Sequence, residues 1–577
     1  MARALLLLFA LAGIAAPGRT RPAGDPAPDW GVASSLTKLR PQDLLPAGRE
    51  IALSAARGEC EAAQVAVRSP RGLSALRAEA APLAPGGVPV VLYRVATLDL
   101  ARPSGPDGAA GTWPDPLVPV RDPDFGEARR AFPVAVPAGA LQSIWVEICI
   151  PDDLTVEARR PRAARAGPAT APTRAGPEAD VLRGAVRVLD GDRLVASVPL
   201  TVHLWPFTLP RTPTFVAAFG LSTRLGTRAL GHPDDPALAR ALVAAALRHR
   251  LSPFTLSADP PGGRCTAAAC NLDWSALDAE LSPLLDGTLV PGVKGGFAEV
   301  RIPGAVWSGP EEDLTATLRA WREHFAHRGW LERLWLYTLD EPGPAELGEL
   351  ARRARLARTA GLRVFATTLP QPVLAGLVDA FAPNLTLLPG GRAAPGVRFS
   401  YASCLSHGCG ELPSPEDAPR RATRAAMVRA FQGWPGYEID RPATAARAVA
   451  WLAWRRGLAG ELYYDMLQAW TRDPWTDVRA FAGNGDGTLL YPGRPEALGG
   501  VHPFPVGSLR LAVIRDGLED LELLRLAEAA GLGPLAETLA ARLVPSPRTW
   551  ERRPEPWLEA RRTLGNALAR RRAGRPP

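Results

Sequence analysis

Apolar and polar positions alternate along several short stretches in the first third of the chain. Gln64-Val65-Ala66-Val67-Arg68, Ser143-Ile144-Trp145-Val146-Glu147-Ile148-Cys149-Ile150 and Ala185-Val186-Arg187-Val188-Leu189 follow the two-residue period of strands. Asp190-Gly191-Asp192 and Pro151-Asp152-Asp153 punctuate them as turns. Short strands at this spacing predict a β-sandwich over residues 30–209. Within it, residues 155–180 are Arg, Ala, Pro and Thr with almost nothing to bury, which predicts a disordered loop. Residues 206–213 carry three prolines and predict a stiff linker.

The rhythm then changes. Residues 215–219, 253–256, 298–302, 334–339, 363–367 and 461–465 are strand-like. Between them, residues 236–248, 313–327, 345–360 and 443–456 show helical spacing; Leu314, Leu318, Trp321 and Phe325 share one face. Strands alternating with helices over residues 214–483 predict a (β/α)8-like barrel. Asp486-Gly487, between Asn484 and Leu489-Leu490-Tyr491, predicts a tight hairpin turn. Helical spacing over residues 509–531, 534–543 and 557–570 predicts a C-terminal hairpin and helical cap over residues 484–570. Arg515 and Glu519 are spaced to pair along the first of these helices.

Length and charge narrow the picture. A chain of 577 residues exceeds one ordinary core. The net charge of +8 comes from scattered arginines, with Lys38 and Lys294 the only lysines, so no basic face is gathered for nucleic acid. Residues 1–17 have a basic start, an apolar stretch and small residues suited to cleavage, as an export signal does. That stretch is too short to span a bilayer, and no later window predicts stable membrane insertion. An exported protein, periplasmic or extracellular, is expected. The six cysteines suit an oxidising compartment, with Cys265–Cys270, Cys404–Cys409 and Cys60–Cys149 the simplest pairing. The histidines form no metal set, and no phosphate loop or dinucleotide fingerprint is present, so no cofactor is expected.

The candidate chemistry sits in Leu334-Trp335-Leu336-Tyr337-Thr338-Leu339-Asp340-Glu341-Pro342. Strand tips bearing carboxylates are where barrel enzymes keep their reactive groups. Alternation sends Asp340 and Glu341 to opposite faces of a regular strand, but the rule relaxes where the strand ends. Pro342 is expected to hold Glu341 extended, opening both acids into the barrel mouth. Adjacent acids do not flank a sugar at the about 5–5.5 Å or about 6.5–9.5 Å separations of ordinary retaining and inverting hydrolases. They better suit cleavage in which the substrate's own 2-acetamido oxygen attacks. Asp340 would then orient the amide, and Glu341, its pKa raised by its neighbour and by burial, would protonate the leaving oxygen. The same residues also suit a plain helix start, with Pro near the first turn.

The run resembles the signature of glycoside hydrolase family 123 and the wider domain-of-unknown-function 4091 group. Residues 437–442 with Arg447, Trp451, 460–464 and Trp470 resemble the family's last barrel segment. Residues 485–493 resemble its following turn, 508–520 its C-terminal helix, and 58–64 the start of its sandwich. The resemblance implies a sandwich plus barrel, release of a β-linked N-acetylgalactosamine by the substrate-assisted route, and Asp340 and Glu341 as the working pair. Tyr337, Trp434, Tyr437, Tyr464, Asp465 and Trp470 are candidate substrate-binding groups, Tyr464 and Trp470 foremost because they lie near the end of the last strand; an aromatic in such a place is more often a core residue than a ligand platform. Asp465 or Glu461 would serve a route that needs a separate nucleophile. A non-catalytic glycan-binding protein on the same scaffold is the alternative.

Overall fold

The computed structural model describes residues 27–155, 180–388, 391–410 and 416–574. The signal-like start and the predicted loop, apart from Thr155 and Asp180, lie outside the described residues. Two five-stranded sheets form the N-terminal sandwich. In one, Asp29–Ser34, Cys60–Arg68, Leu141–Cys149, Val91–Leu100 and Gly111–Pro119 lie side by side, all antiparallel. The other places Ile51–Arg57, Arg193–Thr208, Asp180–Asp190, Leu73–Ala80 and Val134–Val136 in that order.

Val65, Val67, Ile144, Val146, Val186 and Val198 fill the space between the sheets. Trp145 faces the other way, into the core shared with the rest of the molecule. Leu141–Cys149 is therefore covered on both faces, and all but its last residue are buried or half-buried, Ser143 and Glu147 included. The predicted linker is instead the end of a strand. Arg193–Thr208 runs through Pro206 with a register shift between Leu204 and Thr208, and Trp205, Phe207 and Leu209 are buried. Those alternate apolar residues find a core to enter, so the prolines do not free the segment.

Eight parallel strands follow in two four-stranded sheets. Ser252–Phe254, Val216–Gly220, Gly460–Tyr463 and Phe399–Tyr401 form one; Ala298–Glu299, Leu334–Tyr337, Val364–Ala366 and Ala380–Phe381 form the other. Isolated parallel bridges, Phe381↔Val397 and Asn384↔Tyr401, join the two into a curled sheet. At the opposite seam no backbone ladder forms among the described residues; side chains link the sheets there, the Ser252 hydroxyl accepting from Gly296 N at 2.8 Å and Phe297 N at 3.0 Å and the Glu299 carboxylate from Thr255 N. The backbone ladders thus make a curled sheet and leave the expected (β/α)8 barrel unclosed. The strands are only two to five residues long, too short to carry a ladder round. After Val364–Ala366 and Ala380–Phe381, short 3-10 turns stand where crossover helices were expected.

Inside the curl, Phe254, Phe297, Trp335, Phe365 and Phe399 form an aromatic core. Leu334 and Leu336 face outward, toward the helices. Pro236–Arg248 matches its predicted span, and Glu311–His327 buries Leu314, Leu318, Trp321 and Phe325 as its spacing required. His324 of the same helix stacks on Trp274 at 4.2 Å and lies 2.7 Å from Asp278.

The expected C-terminal cap is more central than its pattern suggested. Leu509–Ala529 is buried along most of its length, polar residues included. Arg510 reaches Asp115 at 2.8 Å, Arg515 reaches Glu147 at 2.7 Å, and Glu519 pairs with Arg250 at 3.1 Å. The predicted pairing of Arg515 with Glu519 along the helix gives way to these outward bonds. Each bolts the helix to the sandwich or to the parallel sheet, and removing one partner of such a buried pair costs about 3–5 kcal/mol. The cysteines form the three expected pairs, Cys60–Cys149, Cys265–Cys270 and Cys404–Cys409. Among the described residues, no helix is long and apolar enough to cross a membrane.

Candidate active site

Leu334–Tyr337 turns Trp335 and Tyr337 to the inner face of the curled sheet. The two acids follow at its C-terminal end, and both are exposed. Glu341 is not extended: its φ is 44°. A residue other than glycine pays about 1–3 kcal/mol to sit there. The left-handed turn breaks the alternation that would have sent neighbouring carboxylates to opposite sides.

Thr367, just past Val364–Ala366, ties the acids together. Its hydroxyl accepts from Glu341 N at 2.8 Å and donates to Asp340 Oδ1 at 3.1 Å. The Tyr337 hydroxyl donates to the same oxygen at 2.6 Å. Burial, then the Asp340 charge and the bond to it, pushes the Tyr337 phenol far above its usual range, so it acts here as a donor. Tyr401, at the end of Phe399–Tyr401, is also pushed far up, by burial, then by its hydrogen bond to Glu341 and the charges of both acids. One phenol thus senses both carboxylates from across the mouth.

Glu299 joins this mouth, although the sequence reading passed over it. It is in register with Trp335 and shares that residue's inner face. Burial raises its carboxyl pKa, while Arg301, 3.7 Å away, and the Thr255 N–H pull it back. Its charge also reaches Tyr337. The available signal was Phe297, two residues earlier and on the same face of a strand next to the acid-bearing one.

On the neighbouring side, Gly460–Tyr463 puts Leu462 on the inner face, and Tyr464 follows it, half-buried. The Tyr464 hydroxyl is buried without a hydrogen-bond partner among the described residues. Asp465 is half-buried beside it; burial raises its carboxyl to about 6 against the pull of the Leu467 and Met466 N–H groups. Glu461 points the other way, toward the helices. It takes the Tyr437 hydroxyl at 2.8 Å, and burial raises it to about 8. It therefore does not reach the mouth. Trp434, Tyr437 and Trp470 are likewise packed inside, only 3–4% exposed. Trp470 donates its Nε1–H to Leu490 O at 2.8 Å. The mouth thus gathers Asp340, Glu341, Tyr337, Tyr464 and Asp465, with Thr367, Tyr401 and Glu299 added by the fold.

The loop after Phe399–Tyr401, closed by Cys404–Cys409, buries His407 between Glu438 at 3.0 Å and Asp486 at 3.1 Å. Burial opposes its charge, but the two carboxylates outweigh it and hold the imidazole at about 10. Cys404, His407 and Asp486 have donor atoms within 4.8 Å of one another. The Cys404 sulfur is already committed to Cys409, so the set is incomplete as a metal site. The tight turn expected at Asp486-Gly487 is present, with Thr488 N donating to Gly485 O at 3.0 Å, but the paired strands of a hairpin lie just before it. Arg479–Ala480 pairs with Gly483–Asn484, and the chain turns at Phe481 and Ala482, with φ of 48° and 73°.

A cavity of about 840 Å3 lies elsewhere, between the sandwich and the N-terminal ends of the parallel strands. Tyr93, Glu147, His249, Val290 and Arg515 line it; neither Asp340 nor Glu341 does.

The fold and mouth define a multidomain, β-rich protein whose curled parallel sheet carries paired acids at the carboxyl ends of its strands. Residues 420–527 match the family model described as glycoside hydrolase 123, catalytic domain. In overall fold the chain is similar to a family 123 glycoside hydrolase from Clostridium perfringens, whose structure was used to describe glycolipid glycan hydrolysis. That likeness has a TM-score of 0.61 at 11% identity and covers 94% of this chain and 97% of that one. The chain thus resembles glycoside hydrolase family 123 in sequence and in fold, which supports a glycosidase. A Bacteroides ovatus GH5 xyloglucanase aligns with a TM-score of only 0.27 at 9% identity, over 85% of this chain and all (100%) of that one, too distant to bear on the site. No curated protein matches this chain.

Proposed function

We propose that this protein is an exported, retaining glycoside hydrolase that cleaves a β-linked 2-acetamido sugar with the sugar's own amide as nucleophile. The observation that supports the reading is the Thr367 hydroxyl, which bonds both the Asp340 carboxylate and the Glu341 backbone N–H at the end of the strand. Asp340, fixed by Tyr337 and Thr367, orients the acetamido group and balances the charge that develops on it. The amide oxygen attacks the anomeric carbon while Glu341 gives its proton to the departing oxygen. Glu341 then takes a proton from water, which opens the cyclic intermediate with configuration retained. Preorganised donors on Asp340 remove reorganisation at the moment of reaction. The three disulfides fit the oxidising compartment that export implies.

Aryl β-N-acetylhexosaminides test the reading. Turnover with sensitivity to a thiazoline analogue of the intermediate is the expected result. Asp340→Asn should cripple formation of the intermediate, and Glu341→Gln should abolish cleavage of poor leaving groups. Full activity in both variants would overturn the assignment.

A further inference from the structure

We propose that the cavity between the sandwich and the amino ends of the parallel strands is a second binding site, which takes a neutral, largely apolar molecule carrying a hydroxyl donor. The proposal goes beyond the glycosidase reading and does not rest on it. The space measures about 840 Å3. Small-molecule sites span about 300–1,000 Å3, with mostly apolar walls and a few placed polar groups. Here Leu92, Leu117 and Leu247 stand among the buried walls, and Val120, Val290 and Val293 lie nearer the entrance. Val120 is 37% exposed, and Arg121 and Pro291 beside it and Val290 are exposed too, so the space opens to solvent. Apolar wall left wet in this way gains by being covered.

The polar end of the cavity selects the ligand. His249 lines it and is half-buried, at the end of the Pro236–Arg248 helix. Its Nδ1 lies 2.7 Å from Ala245 O. A carbonyl only accepts, so Nδ1 carries the hydrogen, and in the neutral ring Nε2 is left as an acceptor. Nε2 has no hydrogen-bond partner among the described residues and is not sealed off by them. Burial and then the charge of Arg515 hold this imidazole at about 4, so it is neutral at pH 7. A lone pair therefore faces the cavity and waits for a donor.

The charges around that lone pair are already answered. Glu147 takes the Tyr93 hydroxyl at 3.1 Å and Arg515 at 2.7 Å. Arg515 also reaches Asp516 at 3.1 Å, and Arg248 reaches Asp124 at 2.6 Å. An ammonium ligand would meet Arg248 and Arg515, and a carboxylate would meet Glu147; either would bury an unmatched charge. A neutral hydroxyl satisfies Nε2 and upsets none of these pairs. Asp340 and Glu341 do not line this cavity, which lies at the other ends of the strands, so its occupant does not compete with a molecule bound at the mouth.

The test titrates the whole protein, by calorimetry, with 2-naphthol and with its methyl ether, which has the same apolar body and no donor. The wild type should bind 2-naphthol at one site per chain, about threefold to tenfold tighter than the ether, the worth of one hydrogen bond. In His249→Phe, which keeps a ring and removes Nε2, the ratio of the two affinities should fall to about one. Val293→Trp should fill the entrance and weaken both probes at least tenfold. Thermal midpoints check that both variants are folded. A thiazoline sugar analogue should leave the affinity for 2-naphthol unchanged. Absence of saturable binding, unweakened binding in Val293→Trp, or displacement by the thiazoline would overturn the site. A ratio near one in the wild type, or one that survives in His249→Phe, would overturn the hydroxyl-bearing class of ligand. Each of these failures leaves the glycosidase reading standing.

Discussion

Replacing Thr367 by Val tests how the acid pair is held. Valine keeps the branched shape and removes one oxygen. That oxygen accepts from Glu341 N at 2.8 Å and donates to Asp340 Oδ1 at 3.1 Å. A bond to an ionised carboxylate is worth about 1.5–3 kcal/mol, and a neutral one about 0.5–1.5 kcal/mol. If both are spent on positioning, about 2–4 kcal/mol is lost at the transition state. At about 1.4 kcal/mol per decade, kcat should fall roughly 30-fold to 1,000-fold. Thr367→Ser keeps the hydroxyl and should recover most of the loss. The assay is kcat and KM on an aryl 2-acetamido glycoside, with thermal unfolding measured alongside to separate positioning from folding. A Val variant with kcat within twofold of wild type would show that this hydroxyl does not set the geometry of the acids.

Three further outcomes follow from buried charge. Glu461 is raised to about 8 from 4.5, so its contribution to stability is whole below about pH 4.5 and is lost as pH rises through about 8. Glu461→Gln keeps the Tyr437 contact and removes the titration; its urea-unfolding free energy should fall less between pH 5 and 8, by on the order of 3–4 kcal/mol, and parallel profiles would count against the burial argument. His407→Gln leaves Glu438 and Asp486 buried without their cation, and should cost about 3–5 kcal/mol in denaturant unfolding at pH 7; an unchanged midpoint would mean the imidazole is not charged there. Glu299→Gln keeps the shape but loses a charged acceptor at the mouth, and should raise KM several-fold, roughly 1 kcal/mol, with little change in melting temperature; a melting loss without a KM change would make Glu299 a scaffold residue only.

The chain's own pattern determined a good deal. Two-residue alternation marked sandwich strands such as Leu141–Cys149, and helical spacing marked Pro236–Arg248 and Glu311–His327. These features depend on near neighbours, and near neighbours are what a sequence lists. The cysteine pairs were equally legible, since in two of them the partners are only 5 positions apart. The acid pair was visible as a strand end stopped by proline.

What the acids touch was not visible. The left-handed turn at Glu341, the Thr367 tie and the contact with Tyr401 join separate strands, and strand order is a tertiary fact. Trp470 looked as suitable for a sugar as Tyr464, with Trp434 and Tyr437 behind them, yet packing put all three inside and left Tyr464 half-buried near the mouth. Local spacing made Arg515 and Glu519 partners; the fold gave each one from outside the helix, Glu147 and Arg250, because charges buried along Leu509–Ala529 need a partner. Composition thus decided which groups were available, and only the distant contacts of the folded chain decided which of them meet.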